Sequence, residues 1–390
     1  MEVNVSESWM YKQTQPAIAL FSVGYSVVFA GTVIGNLIVV VVIATNRHVR
    51  GVTDMFIFNL ALSDLLIAFL CIPFTLVNHI FIENMFGDAM CRVKALAQGL
   101  SVGASVFTLT SIAADRYVVI VHPQKQGLTK KKALLVILGV WIASAAIMAP
   151  QAVVSYEKEV LYENHTFHIC GEFWPSSTSR QSYTAALFSL CYIIPLVAIS
   201  LLYSKIATKV WFKPPPGAAD GNSRGTSGEK AASVPVGVAA CRMRVVRMVI
   251  ALVVVFATTW MPLYICWLLE DFGNLSLRQQ INLHHYVYPT AHLVAYANSF
   301  INPLVYGFFT TNFRQHFNQT FRKATGSRPM SLATTMIRRH KAMDDVQTGT
   351  AHSTPMTSLK VNVVNGNGNR LKGVVTTAVT LSNNVQETTL

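Results

Sequence analysis

Charged residues are scarce in this chain of 390 residues. They make up 13% of it, against about 25% in an average soluble domain. Hydrophobic residues make up 52%, so water is not the main solvent of this protein. Cysteine is also scarce, because six in a chain of this length cannot form the dense disulfide framework of a small secreted domain.

The sequence also lacks the patterns of an enzyme and of a transporter. No nucleophile is paired with a base, and no spacing of His, Cys, Asp or Glu matches a metal site. We therefore expect no catalytic activity. No internal repeat is visible, although many transporters are built from repeats with interrupted helices. A transporter or channel remains the remote alternative.

Seven long apolar runs dominate the sequence. Each contains twenty or more mostly apolar residues, which is the length that a helix needs to cross a bilayer. The runs cover residues 17–45, 53–80, 88–121, 131–153, 181–211, 243–270 and 284–308. We predict an all-α membrane protein in which residues 17–308 form a seven-transmembrane helix bundle, preceded by an extracellular N-terminus of residues 1–16.

Positive charge is distributed unequally between the two sides of the predicted bundle. The formal net charge of +13 would suggest nucleic acid as a partner in a soluble protein. If the loops alternate from an outer N-terminus, however, only six of the 31 Lys and Arg residues lie outside: Lys12, Arg92, Lys94, Lys158, Arg180 and Arg278. Cytoplasmic loops carry such an excess of positive charge. We predict a multi-pass plasma-membrane protein with an extracellular N-terminus, and no nucleic-acid partner.

The chain continues beyond the seventh run with two different segments. Phenylalanines recur every four residues over 309–322, which predicts a short amphipathic eighth helix on the inner membrane surface, in contact with lipid. Residues 323–390 are rich in Ser, Thr, Asn and Val and are predicted to be a disordered cytoplasmic tail. The last four residues, 387–390, match a C-terminal ligand of PDZ domains.

Two features on the predicted outer side indicate covalent modification. Cys91 and Cys170 are the cysteines that face the oxidising compartment, and we predict a disulfide between them. The alternative is two free thiols. Sequons for glycosylation occur at three asparagines: Asn4, Asn164 and Asn274.

Two polar motifs occur at the ends of apolar runs. Asp-Arg-Tyr at residues 115–117 closes the third run, and Asn-Pro-Leu-Val-Tyr at residues 302–306 lies within the seventh. A charged side chain in hydrocarbon costs about 2.5–3.5 kcal/mol on insertion scales, so its presence indicates a function. Together with seven spans, these motifs resemble those of the class A (rhodopsin-like) G-protein-coupled receptors.

The resemblance implies an activation switch on the inner side of the bundle. In one state Asp115 restrains Arg116, and in the other Arg116 is free to meet a heterotrimeric G protein, which makes a two-state element that a ligand biases. Arg242 stands where some relatives carry an acid, which predicts basal signalling. The switch residues are Asp115, Arg116, Tyr117, Pro195, Tyr203, Phe256, Trp260, Pro262, Pro303 and Tyr306.

The same resemblance implies a sodium site in the middle of the bundle. Its ligands would be the oxygens of Asp64, Ser105, Asn298 and Asn302, which are the hard donors that such a cation prefers. An allosteric sodium ion is the one cofactor that we expect. The alternative is a hydrogen-bonded network that only joins the helices.

The ligand class follows from what the expected pocket contains. Gln98 stands where amine receptors carry aspartate, and Tyr296 stands where opsins carry lysine, so both of those ligand classes are disfavoured. Over residues 17–322 the chain resembles the neuropeptide FF receptors, whose peptides end in Arg-Phe-amide. The stretches that carry this likeness are 56–64, 98–108, 173–175 and 288–292.

This resemblance assigns a role to each pocket residue. Asp271 and Glu172 would pair with the peptide arginine, and a bidentate guanidinium contact is the strong geometry for such a pair. The terminal carboxamide would be held by Thr75, Gln98 and His292, with the phenyl ring against apolar walls such as Trp267 and Trp260. Receptors for neuropeptide Y-like or pyroglutamylated RFamide peptides remain alternatives. The further partners expected are a G protein of the inhibitory class, arrestin and a PDZ protein.

Overall fold

The computed structural model describes residues 11–45, 51–162, 165–212, 236–309, 317, 320, 361–364 and 370–373. The helices of the described part are α1 (Gln15–Thr45), α2 (Val52–Leu70), α3 (Ile72–Ile80), α4 (Gly87–Val121), α5 (Lys130–Val154), α6 (Ser177–Phe188), α7 (Ile194–Phe212), α8 (Val236–Phe272), α9 (Leu277–Asn282) and α10 (Tyr288–Phe309). They follow the order of the seven predicted apolar runs.

The helices form the predicted bundle. Within the described ranges, six helical segments are long and apolar enough to cross a membrane, and α10 is the seventh member, packed against α1 and α8. Helix α4 contacts α2, α5 and α7 and so lies at the centre. Large apolar side chains such as Leu20, Leu135 and Leu201 are exposed on the outer faces, as expected of surfaces that contact lipid.

Three of the spans are irregular close to a proline. The second span breaks at Cys71, between α2 and α3, and Pro73 follows in the first turn of α3. Five-residue π-helical turns at Ser189–Ile193 and Leu283–Val287 come shortly before Pro195 and Pro289. A proline removes one backbone donor and blocks regular helical bonding, so irregular turns at these points are the local solution.

A β-hairpin covers part of the end of the bundle that was predicted to face outwards, hereafter the outer end. Its strands β1 (Ser155–Tyr162) and β2 (His165–Glu172) pair antiparallel, with Ser155 opposite Glu172. The disulfide between Cys91 and Cys170 joins β2 to the start of α4, which confirms the predicted bridge. The backbone N–H of Glu157 also donates to Asp88 Oδ1 at 2.9 Å. The hairpin is thereby fixed beside the entrance to the bundle.

Buried polar side chains and small residues join the inner helices. Asn59 on α2 donates to Thr108 Oγ1 on α4 at 2.9 Å and accepts from Trp141 Nε1 on α5 at 2.8 Å. A side chain added at Gly103 would put its Cβ 2.6 Å from Ser144 Oγ. Helices α4 and α5 therefore approach closely at this level, as small residues allow in membrane bundles.

A separate unit comprises residues 327–390. Its described part is a pair of antiparallel strands, β3 (Val361–Val364) and β4 (Arg370–Gly373). The disorder expected over residues 323–390 stays a prediction. The proposed eighth helix at 309–322 and the PDZ-type terminus at 387–390 lie outside the described residues, apart from isolated positions.

Candidate functional site

A cavity of about 580 Å³ lies at the outer end of the bundle. Five of the six predicted peptide-binding residues line it: Gln98, Glu172, Trp267, Asp271 and His292. Thr75 and Trp260 do not line the cavity, and both are almost completely buried. The helices α3, α4, α6, α8 and α10 together with β2 contribute the walls, so residues far apart in the sequence meet here.

One tyrosine links two of the residues predicted to hold the carboxamide. The Tyr296 hydroxyl donates to Gln98 Oε1 at 2.9 Å, and it shares a hydrogen bond of 2.8 Å with Thr75 Oγ1. Thr75 therefore acts on the cavity through Tyr296 rather than by lining it.

The acidic wall of the cavity is partly neutralised by one arginine of the same cavity. Arg180 on α6 lies 2.6 Å from a carboxylate oxygen of both Glu270 and Asp271 on α8. Asp271 also accepts a hydrogen bond from the Thr184 hydroxyl, and Glu270 accepts one from the Tyr288 hydroxyl. The side chain of Asp271 is only 3% exposed, so it is not the solvated rim acid that its place at the helix end suggested.

Glu172 is the exposed acid of the site. It accepts hydrogen bonds from Gln151 Nε2 and, at 3.0 Å, from Trp174 Nε1. The Trp174 ring packs against that of Tyr183 at 4.9 Å. Both donors to the Glu172 carboxylate are thus neutral side chains.

Basic groups line another part of the cavity. Lys12, Lys94, His79 and His292 all contribute, and His79 Nε2 lies 3.4 Å from His292 Nδ1. Lys12 donates to the backbone oxygen of Asn78 at 2.9 Å, and burial lowers the pKa of its ammonium. The cavity therefore combines carboxylates with basic groups.

Several residues at the cavity were not assigned a role in binding from the sequence. Arg180, Tyr288 and Lys94 line the cavity, and Tyr296 bonds to Gln98 beside it. Arg180 was recognised only as one of the outer basic residues. A basic residue on the same side as two consecutive acids was the available signal, but the pairing itself joins two different spans and has no local sequence pattern.

The predicted sodium-site residues lie at a buried level of the bundle. Asn302 Nδ2 donates to Asp64 Oδ2 at 3.0 Å, and Ser105 is 3.0 Å from the hydroxyl of Ser63, which precedes Asp64. Asp64 Oδ1 and Asn298 Oδ1 are buried and have no hydrogen-bond partner among the described residues. Such orphaned oxygens are costly and are chemically suited to hold a hard cation.

At the predicted inner end of the bundle, Arg116 is paired with Asp115. Arg116 forms a salt bridge with Asp115, whose other oxygen accepts from the backbone N–H of Leu128 at 2.9 Å. Tyr117 packs edge-on against His122 at 5.6 Å. The hydroxyls of Tyr203 and Tyr306 are buried without a partner in the described part of the chain. The side chain of Arg242 lies outside the described residues.

The other predicted switch residues lie on α7, α8 and α10. The rings of Phe256 and Trp260 lie 6.2 Å apart, and both are almost completely buried. Pro262 and Pro303 lie inside the continuous helices α8 and α10. Pro195 follows a π-helical turn. These positions suit a helix that bends, because each proline removes one internal hydrogen bond.

The glycosylation sequons differ in what the structure describes. Asn274 is exposed in the connection between α8 and α9, where an oligosaccharide has room. Asn4 and Asn164 lie outside the described residues. Glycosylation at all three positions stays a prediction.

Comparisons with known proteins agree with this architecture. The family described as "7 transmembrane receptor (rhodopsin family)" matches residues 35–306. Neuropeptide FF receptor 1 of Homo sapiens is 39% identical over 337 residues, which cover 84% of this chain and 75% of that receptor. The QRFP-like peptide receptor of Branchiostoma floridae is 32% identical over 298 residues, covering 75% of each chain.

A third relative carries a different peptide name. The RYamide receptor of Drosophila melanogaster is 32% identical over 312 residues, which cover 78% of this chain and 63% of that receptor. All three relatives are peptide receptors by name.

Proposed function

The chain belongs to the rhodopsin family of seven-transmembrane receptors, and from this membership we propose that it is a cell-surface receptor for an amidated peptide of the RFamide type. Binding of the peptide in the outer cavity would activate a heterotrimeric G protein at the inner end. The relatives named for neuropeptide FF and QRFP-like peptides support the ligand class.

The acidic wall of the cavity is the observation that carries this proposal. Glu270 and Asp271 are adjacent carboxylates that line a cavity large enough for side chains of a ligand, and Glu172 adds a third acid. A peptide guanidinium matches a carboxylate in a bidentate, charge-assisted contact. We propose Asp271 as its main partner and Glu172 as a second one.

The amidated end of the peptide is assigned to the floor of the cavity. Gln98 and His292 would bind the carboxamide directly, and Thr75 would hold Gln98 in place through Tyr296. Trp267 would pack against the aromatic ring. In a site built for a neutral amide, a free carboxylate would lose its water without gaining matching hydrogen-bond partners. Mismatched polar groups of this kind give strong discrimination.

The experiment is G-protein activation in transfected cells by peptides ending in Arg-Phe-amide, Arg-Tyr-amide and Arg-Phe free acid. Selective response to the first supports the RFamide assignment. A stronger response to the second would favour the alternative of an Arg-Tyr-amide or neuropeptide Y-like ligand. The similarity to the RYamide receptor supports that alternative. Silence with confirmed surface expression would reject both ligands, leave the receptor fold intact and return the ligand to unknown.

The topology and the inner partners complete the proposal. We propose an extracellular N-terminus in the plasma membrane, glycosylated at Asn4, Asn164 and Asn274, since basic residues concentrate on the other side. The inner partners would be a G protein of the inhibitory class, arrestin and a PDZ protein bound to residues 387–390. An antibody against a tag at residue 1 should label intact cells, and labelling only after permeabilisation would reverse the orientation.

Sodium is proposed as an allosteric ligand of the buried polar cluster. Asp64 and Asn298 would supply oxygens that have no hydrogen-bond partner among the described residues, with Ser105 and Asn302 beside them. The cation would neutralise Asp64 and favour the resting state. Agonist affinity should fall as sodium rises in the wild type and should not respond in Asp64→Asn. Equal sodium dependence in both proteins would leave the hydrogen-bonded network as the account.

A further inference from the structure

One guanidinium shares two carboxylates at the cavity wall. Arg180 Nη2 is 2.6 Å from Glu270 Oε1, and Arg180 Nε is 2.6 Å from Asp271 Oδ1. Arg180 itself is about one-third exposed, whereas the Asp271 side chain is almost completely covered. The arginine therefore covers the acid that the proposed ligand needs.

The two carboxylates are not satisfied equally. Glu270 has the Tyr288 hydroxyl on one oxygen, and His284 Nε2 lies 3.6 Å from the other. Asp271 Oδ1 is buried and accepts no well-aligned hydrogen bond, although Arg180 Nε is close to it. A second guanidinium that approached with bidentate geometry would gain most at Asp271.

Asp271 has two neutral contacts besides Arg180. The Thr184 hydroxyl donates to Asp271 Oδ2, and Gln181 Nε2 donates to the backbone oxygen of Asp271 at 2.7 Å. Both donors belong to α6, which packs against α8. The link between the two helices thus has neutral parts that remain when the charge of Arg180 is removed.

We propose that Arg180 is an internal competitor for the cationic side chain of the ligand and that Glu270 is the carboxylate to which Arg180 withdraws when the ligand takes Asp271. This inference rests on the proposed function. Arg180 then sets the affinity for cationic peptides, because only receptors in which it has released Asp271 are competent to bind. The apparent dissociation constant rises in inverse proportion to that competent fraction.

The competition has an opposite sign for the two neighbours of Asp271. Without Arg180, the acid is uncovered and the affinity for a cationic ligand rises. Without the charge of Glu270, Arg180 has no other carboxylate and binds Asp271 more persistently, so the affinity falls. Removing both groups gives the same raised affinity as removing Arg180 alone, because no competitor remains. A direct contact between Glu270 and the ligand gives no such recovery.

The experiment is competition binding of two peptides on membranes of transfected cells. One peptide ends in Arg-Phe-amide, and the other carries the neutral isostere citrulline in place of arginine. Arg180→Gln should bind the arginine peptide on the order of tenfold more tightly, if about a tenth of the resting receptors are competent, and should leave the citrulline peptide unchanged. Glu270→Gln should bind the arginine peptide more weakly, and Glu270→Gln with Arg180→Gln should match Arg180→Gln alone.

Arg278→Gln is the matched control, since it removes the same charge from an exposed residue that does not line the cavity. It should not change the ratio of the two affinities. Arg180→Lys keeps the charge but cannot span both acids, so its gain in affinity for the arginine peptide should be smaller. This variant replaces Arg180→Gln if the latter fails to reach the cell surface. Unchanged or weaker binding of the arginine peptide by both Arg180 variants would overturn the inference while the receptor function stands. Absence of binding to the wild type would instead reject the proposed function, and the inference with it.

Discussion

The hydroxyl of Tyr296 donates to Gln98 at 2.9 Å and joins α10 to α4 at the floor of the cavity. The same hydroxyl bonds Thr75 at 2.8 Å. Tyr296→Phe removes both bonds and frees Gln98 to rotate. Because a hydrogen bond contributes about 0.5–1.5 kcal/mol, the potency of an Arg-Phe-amide peptide should fall about tenfold in a G-protein activation assay.

Tyr25→Phe is the control for that prediction. Its hydroxyl donates to the backbone oxygen of Pro289 at 2.7 Å, so it also joins α10 to a neighbouring helix but does not line the cavity. The potency of the Arg-Phe-amide peptide on Tyr25→Phe should stay at the wild-type value. If both variants lost potency equally, the effect would come from the packing of α10 rather than from the placement of Gln98.

The ion pair between Asp115 and Arg116 should restrain the receptor in its resting state. Asp115→Asn removes the charge but can still accept from the N–H of Leu128. Hydrogen bonds to charged groups contribute about 1.5–3 kcal/mol, so the ratio of released to restrained receptors should rise about tenfold or more. Nucleotide exchange on the G protein without ligand should increase accordingly.

Asp88→Asn offers a comparison on the same helix. Asp88 pairs with Arg92 at 2.9 Å, and both side chains are almost half exposed at the outer end of α4. Its loss should leave ligand-free signalling unchanged. Equal basal signalling in the wild type and Asp115→Asn would show that this pair does not hold the resting state.

The close approach of α4 and α5 should make Gly103 intolerant of a side chain. In Gly103→Ala the new Cβ lies 2.6 Å from Ser144 Oγ and 2.9 Å from Ser144 Cβ. Overpacking of this kind costs about 1–3 kcal/mol, so the Tm of the purified receptor should fall. Gly139→Ala on α5 meets nothing within 4 Å and should keep the wild-type Tm. An unchanged Tm for Gly103→Ala would mean that the helices separate at little cost.

The spans and their order could be predicted because a membrane helix must be a continuous apolar run. The run at 53–80 corresponds to α2 and α3, and the run at 88–121 corresponds to α4, within a residue at each end. The break at Cys71 and the π-helical turns could not be placed, since a proline permits an irregular turn without fixing its position. The hairpin β1–β2 has no apolar run and was not predicted.

The candidate site was predictable in its members but not in its pairing. The resemblance of the chain to known receptors identified Gln98, Asp271 and His292, and they do line one cavity. The contact between Arg180 and Asp271 depends on how α6 and α8 pack. Likewise, Thr75 proved to reach the cavity through Tyr296. Such relations need the relative positions of helices, which no local pattern encodes.

The most direct test of the central claim joins one receptor residue to one peptide residue. The affinities of the Arg-Phe-amide peptide and its citrulline analogue are measured on the wild type and on Asp271→Asn. If Asp271 receives the peptide arginine, citrulline should weaken binding about tenfold or more on the wild type and much less on Asp271→Asn. An equal loss on both receptors would show that Asp271 does not bind the peptide arginine.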